Sequence, residues 1–198
     1  IGAMINGSQV AVSSGATDDA AGYTTGKSGF EFTAALGAKI KERSSLIDNP
    51  LYETNAVSHQ DFLSDFTDKN IVVPGTNIAI SSHNFPLGAD LHFESYNYNF
   101  NFANYFVILN YTITNNSTTN WDSVFIGYWK DGVVRNINVT PPGGSAFYNK
   151  GGNGFLDSLD IAYEFDGNGD PGFTETYVGL KYLGSIDPAG FAHPLLRP

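Results

Sequence analysis

Cysteine is absent from the 198 residues, which excludes disulfides, thiolate zinc sites and cysteine nucleophiles. A chain of this length can bury about 70% of its unfolded surface, so it needs no covalent staple. Charge is scarce too: Asp, Glu, Lys and Arg make up 15% of the chain, against about 25% in an ordinary globular domain. Basic residues are the scarcest part, 10 against 20 acids, for a formal net charge of −10. Binding a polyanion depends on neutralising phosphates with basic side chains. The balance therefore argues against nucleic acid and against an anionic membrane surface as partners. No run of about 18 apolar residues occurs, so no segment reads as a membrane span. The opening Ile1-Gly2-Ala3-Met4 has no signal-peptide pattern, and the sequence reads as a mature or trimmed product.

What the chain does have is a run of rings and asparagines over residues 93–114. Tyr96, Tyr98, Phe100 and Phe102 alternate with Asn97, Asn99 and Asn101. A period of two belongs to a strand, because a helix would spread those rings around its circumference. With Asn, Ser, Thr and Tyr forming the surface, the composition points to an extracellular or cell-surface protein. From Ile71 onward, strands are predicted near 71–73, 77–81, 90–102, 105–114, 122–129, 133–139, 159–165 and 176–183. Gly, Asn and Pro turns join them, and no helix-length crossover separates them. The expectation is an all-β fold: an antiparallel β-sandwich, jelly-roll-like, with its alternating rings turned inward. Residues 1–70 read as a hairpin and loop-rich extension packed on a 71–185 sandwich core, with 186–198 a C-terminal tail. Asn6-Gly7 accepts positive φ at both central positions of a type I′ turn, giving a hairpin over Ala3–Val12. Ser58 to Phe66 reads as a helix, with Ser58 as cap and Asp61 three residues on. Its acids Asp61, Asp65 and Asp68 then form a solvated face, with a metal site as the alternative. Residues 34–50 are ambiguous.

The sharpest chemical signal is Asp166-Gly167-Asn168-Gly169-Asp170, where oxygen-bearing side chains alternate with glycine and can wrap a hard cation. Asp166, Asn168 and Asp170, completed by Glu175 or Asp160, are the candidate ligands for calcium; the alternative is a plain polar turn. EF-hand spacing fails, since Pro171 stands where the glycine belongs and Tyr177 where the glutamate belongs. Ala21 to Ser28 matches a phosphate-loop pattern, but it lacks the buried strand before it and carries Asp18 and Asp19. His59, His83, His92 and His193 show no ligand spacing, and no Gly-x-Ser-x-Gly elbow is present. Trp121, Trp129 and Tyr148 are candidates for a sugar-stacking platform, with core packing as the alternative. Asn110, Asn116 and Asn138 begin N-glycosylation triplets, and Asp122-Ser123 and Asp157-Ser158 resemble bacterial O-glycosylation sites.

An ordered series of segments carries a resemblance. It runs Pro86-Leu87-Gly88, Glu94-Ser95-Tyr96, residues 106–115, residues 124–131, residues 162–170 and residues 177–184. Over about residues 70–184, and more faintly over 1–17, the chain resembles the N-terminal β-rich region of large secreted proteins exported by the type IX secretion system. The resemblance implies secretion or surface attachment and a cation at the Asp166–Asp170 loop, and it implies no reaction. Such cargo usually ends in a sorting domain that this sequence does not show, so the chain reads as a fragment or as a short relative used as a repeated building block. The expected function is that of a secreted structural or adhesive module, not an enzyme, whose partners are copies of itself or other surface proteins. Ile1 to Val12 would add a strand to a neighbour's sheet. The alternative is a carbohydrate-binding module of a larger hydrolase, with polysaccharide as partner.

Overall fold

The computed structural model describes residues 1–15, 26, 28–136, 138, 151–167 and 173–185. Over these the chain is all-β, built from antiparallel sheets with no helix. It divides into two units, Ile1–Trp129 and Lys130–Pro198.

The first unit contains β1 (Gly2–Ile5), β2 (Gln9–Val12), β3 (Lys41–Arg43), β4 (Gln60–Thr67), β5 (Ala89–Asn97), β6 (Ile108–Asn115) and β7 (Trp121–Phe125). They form a three-stranded sheet of order β2-β1-β7 and a four-stranded meander β3-β4-β5-β6. The Asn6-Gly7 hairpin forms as the sequence predicts: φ is 48° at Asn6 and 68° at Gly7, and Ser8 N donates to the Ile5 carbonyl at 3.1 Å. β1 is the central strand of its sheet, paired on both sides. Of the segment Ile1 to Val12, expected to add to a neighbour's sheet, β2 lies at the sheet edge and β1 inside it. Ala3, Ala11, Leu87 and Ala89 make the buried core, with Ile1, Ile5, Phe32, Trp121 and Val124 packed on it. Apolar side chains from both sheets thus share one small interior.

Asp68, just past β4, is fully buried in that region. Its carboxylate accepts from Ser13 Oγ at 2.6 Å, from Leu87 N at 2.7 Å and from Ala89 N at 2.7 Å. A buried carboxylate is tolerated only when donors surround it in this way.

Four expectations need correction. Residues 60–67 are strand β4, not part of a helix. Phe62 and Phe66 are four apart, a spacing that fits a helical face and a strand face equally well. Ser58 and Asp61 do make cap-like bonds, with Val57 N and Ser58 N each 2.8 Å from the Asp61 carboxylate, but they cap a turn entering a strand. The long strand predicted over 90–102 stops at Asn97, because its partner β4 begins at Gln60, opposite Asn97. Beyond that point side chains replace the ladder: Asn97 N donates to Ser58 Oγ and Asn99 N to His59 Nδ1, both at 2.9 Å. Residues 71–73 and 77–81 meet only at a single bridge, Val72 with Ala79. Residues 133–136 form no strand, with 137 and 139 outside the described residues. Strand β3 falls within residues 34–50, where the sequence is ambiguous.

The second unit holds β8 (Gly151–Leu156), β9 (Ile161–Asp166) and β10 (Tyr177–Lys181), in the order β10-β9-β8. Gly152 faces Phe165 and Gly154 faces Tyr163 across the ladder. A Cβ on either glycine would lie 2.6 Å from the opposing ring, so the rings lie over the glycine backbone and cover a strand that has few side chains of its own. Tyr177 closes the group, 5.9 Å from Tyr163 and 5.8 Å from Phe165 between ring centroids. On the opposite face, Glu164 pairs with Lys130 and Asp166 with Arg135, the latter at 2.7 Å.

Candidate functional site

The polar face of the meander gathers Arg43, Asp61, Asp65, His92, Glu94 and Tyr96, placed together by the registers of β3, β4 and β5. Arg43 Nε donates to Asp61 Oδ2 at 2.9 Å and Arg43 Nη2 to Glu94 Oε1 at 3.0 Å. His92 sits between two carboxylates, with Nδ1 2.6 Å from Asp65 and Nε2 3.2 Å from Glu94. Only an imidazolium can donate from both nitrogens. Those bonds, to Asp65 first and then Glu94, hold the His92 pKa above its ordinary value. Burial works to raise Asp61 and Glu94. Donors outweigh it, chiefly Ser58 and Val57 N–H at Asp61 and Tyr96 and His92 at Glu94, and both stay below the usual carboxylate range. A glycosidase needs one carboxyl kept protonated to act as general acid. These acids are pushed the other way and spent on cations already present. The cluster binds three strands together. The solvated acidic helix face expected for Asp61, Asp65 and Asp68 is thus replaced by two buried acids, Asp61 and Asp68, and an exposed Asp65 on strand β4 or at its end.

Of the candidate calcium ligands, Asp166, Asp160 and Glu175 lie among the described residues. Asp166 is buried, accepting from Arg135 Nη1 and, at 3.2 Å, from Thr174 N. Asp160 lies in the turn before β9, with φ of 51°. The length of β9, five steps of about 3.3 Å, separates it from Asp166. Glu175 is exposed. Asn168 and Asp170 lie outside the described residues. Among the described residues no group of three or more His, Asp or Glu side chains is placed to hold a metal ion.

Of the candidate platform residues, Trp121 and Trp129 lie among the described residues. Trp121 is half-buried against the core and its Nε1 donates to the Leu87 carbonyl at 3.1 Å. Trp129 is 53% exposed, beyond the end of β7. Tyr148 lies outside the described residues, as do His193 and most of the phosphate-loop match. No helix among the described residues is long and apolar enough to cross a membrane.

The arrangement with binding chemistry is the extension of β5. Tyr98, Phe100 and Phe102 keep the period of two past the sheet, so their rings stand on one side and stack. Centroids are 6.1 and 5.4 Å apart with planes within 13° and 10°. The sequence expects these rings inside a sandwich; instead Phe100 is 44% and Phe102 78% exposed. His59 packs edge-on against Phe100 at 4.7 Å. Because Asn99 N donates to its Nδ1, the neutral ring carries its proton on Nε2, a free donor. Beside the rings an open cleft of about 460 Å³ is lined by His59, Gln60, Asn97, Tyr98, Asn99 and Asn104. The carboxamides of Asn97, Asn99 and Asn104 make no hydrogen bond among the described residues. Each offers two donors and an acceptor. The ring alternation is visible in the sequence; the loss of the strand partner that would have buried it is not. No protein-family model matches the chain, and no curated protein or solved structure matches it either.

Proposed function

We propose that this chain is a secreted or cell-surface adhesive β module that binds neutral polysaccharide beside the Tyr98–Phe100–Phe102 stack. The observation behind this reading is the juxtaposition of unpaired amides with solvent-facing rings. A sugar presents vicinal hydroxyls at its edge and C–H groups on its face. Carboxamides match the first with paired donors and acceptors, and an aromatic face matches the second. The cleft lining carries no carboxylate, lysine or arginine, which suits an uncharged ligand. Because the three rings cover one another, the outer face of Phe102 is the surface left for stacking. The Asn- and Thr-rich, lysine-poor composition and the resemblance to secreted cargo support an extracellular setting.

The test is titration calorimetry of the full chain against a panel of neutral polysaccharides, including glucan, mannan and xylan. Binding to at least one is expected. Phe102→Ala and Asn99→Ala should each weaken it about tenfold, the loss of roughly 1.4 kcal/mol, while Trp129→Ala leaves it unchanged. Binding that follows Trp129 instead would move the site, and no binding across the panel would remove the saccharide reading.

A further inference from the structure

We infer that β6 is an interaction surface through which two copies of this chain pair edge to edge, antiparallel, about a two-fold axis. A sheet edge presents unpaired N–H and C=O groups, and proteins protect such edges with charge, proline, bulges or brevity, while interior glycine weakens the edge strand itself. Among the described residues the three sheets have six edge strands, and five are protected. β3 is Lys-Glu-Arg, and β2 has four residues. β7 carries Asp122, a register shift in its pairing to β1, and Ser123 at φ of 50°. Half of β8 is glycine, and β10 is five residues with Lys181 at its end.

β6 has none of these devices. Its eight residues, Ile-Leu-Asn-Tyr-Thr-Ile-Thr-Asn, contain no charge, proline or glycine, and pair with β5 in unbroken register. Six of them, Leu109 to Thr112 with Thr114 and Asn115, are exposed. No other strand among the described residues takes the outer side.

The partner is a second copy for reasons of charge and parity. A net charge of −10 opposes association over most of the surface, but this edge is neutral, so strand meets strand without like charges. A two-fold axis perpendicular to the sheet sets residues of equal parity opposite one another. With the axis at Thr112, Tyr111 faces Ile113 and Leu109 faces Asn115. The apolar side of one β6 then continues that of the other, and each chain supplies what its partner lacks. The pairing is independent of the ring stack and stands or falls separately from saccharide binding.

Sedimentation of the full chain from about 1 µM to about 1 mM should show a monomer–dimer equilibrium. Thr112→Lys sets two ammonium groups against each other at the axis and should weaken the dimer at least tenfold. Mixing Thr112→Lys with Thr112→Glu chains should restore pairing as a heterodimer. In the unmodified chain, amide exchange within 108–115 should slow as concentration rises. A chain that stays monomeric throughout, a dimer untouched by Thr112→Lys, or 108–115 amides protected at every concentration would each overturn the proposal. The last result would mean that another part of the same chain takes this edge.

Discussion

The Ser13 hydroxyl lies 2.6 Å from a carboxylate oxygen of Asp68, 55 residues further along the chain. The bond joins the end of the N-terminal hairpin to the end of β4. The same carboxylate then reaches Leu87 N and Ala89 N at the start of β5. Asp68→Ala strands three buried donors and should cost about 3 kcal/mol or more, since each unsatisfied buried group costs roughly 1–3. Ser13→Ala leaves the two amide bonds in place and should cost about 1 kcal/mol. Urea midpoints at constant slope measure both, and equal losses would mean that the carboxylate is not the shared anchor.

Arg43 is the cation of the polar face, its side chain 7% exposed beside Asp61 at 0% and Glu94 at 13%. Removing one partner of a buried pair leaves an uncompensated charge, a loss of about 3–5 kcal/mol. Arg43→Met should approach that loss at neutral pH. Adding Asp61→Leu should recover part of it, so a double variant as unstable as the sum of its parts would contradict the coupling.

The same cluster sets a pH optimum. His92 is held above its ordinary 6.5, so its contribution is complete below that pH and fades as pH rises through the folded value. Asp61 and Glu94 are held below their ordinary 3.8 and 4.5. Their contribution is complete above those values and is lost as pH falls through the lowered ones. Stability should therefore peak between about pH 5 and 6.5 and decline on both sides. His92→Gln should flatten the alkaline limb and, because His92 helps hold Glu94 low, shrink the acid limb only in part, with the Asp61 share kept. Denaturant midpoints across pH 3–8 read both limbs.

Gly152→Val drives side-chain carbons into the space held by the Phe165 ring, 2.6 Å from an added Cβ. Overpacking of this kind costs about 1–3 kcal/mol. The change should appear in near-ultraviolet dichroism of the Tyr163, Phe165 and Tyr177 group. An unaltered spectrum and midpoint would show that the rings do not rest on that strand.

Legibility followed the range of the forces involved. The Asn6-Gly7 turn was readable because its chemistry is contained in two residues. β4 was misread as a helix because Phe62 and Phe66 satisfy both periods and because Ser58 and Asp61 make cap bonds in either setting. β8 has no signal of its own; its stabilising rings belong to residues 163 and 165, beyond the turn. At the ring stack, the spacing of Tyr98, Phe100 and Phe102 identified a one-sided array. Which way that side looks depended on where β4 starts, and a period of two contains no information about its neighbour. His59 was invisible as a site residue because nothing in sequence links it to Asn99, 40 positions away.

Among the described strands β6 is the one unguarded border, and under the proposed pairing it also limits how large an assembly can grow. Antiparallel union about a dyad consumes that border on both molecules at once, leaving only guarded rims outside. Growth by this contact ends at two, and a fibre or surface layer would require a chemically different second joint.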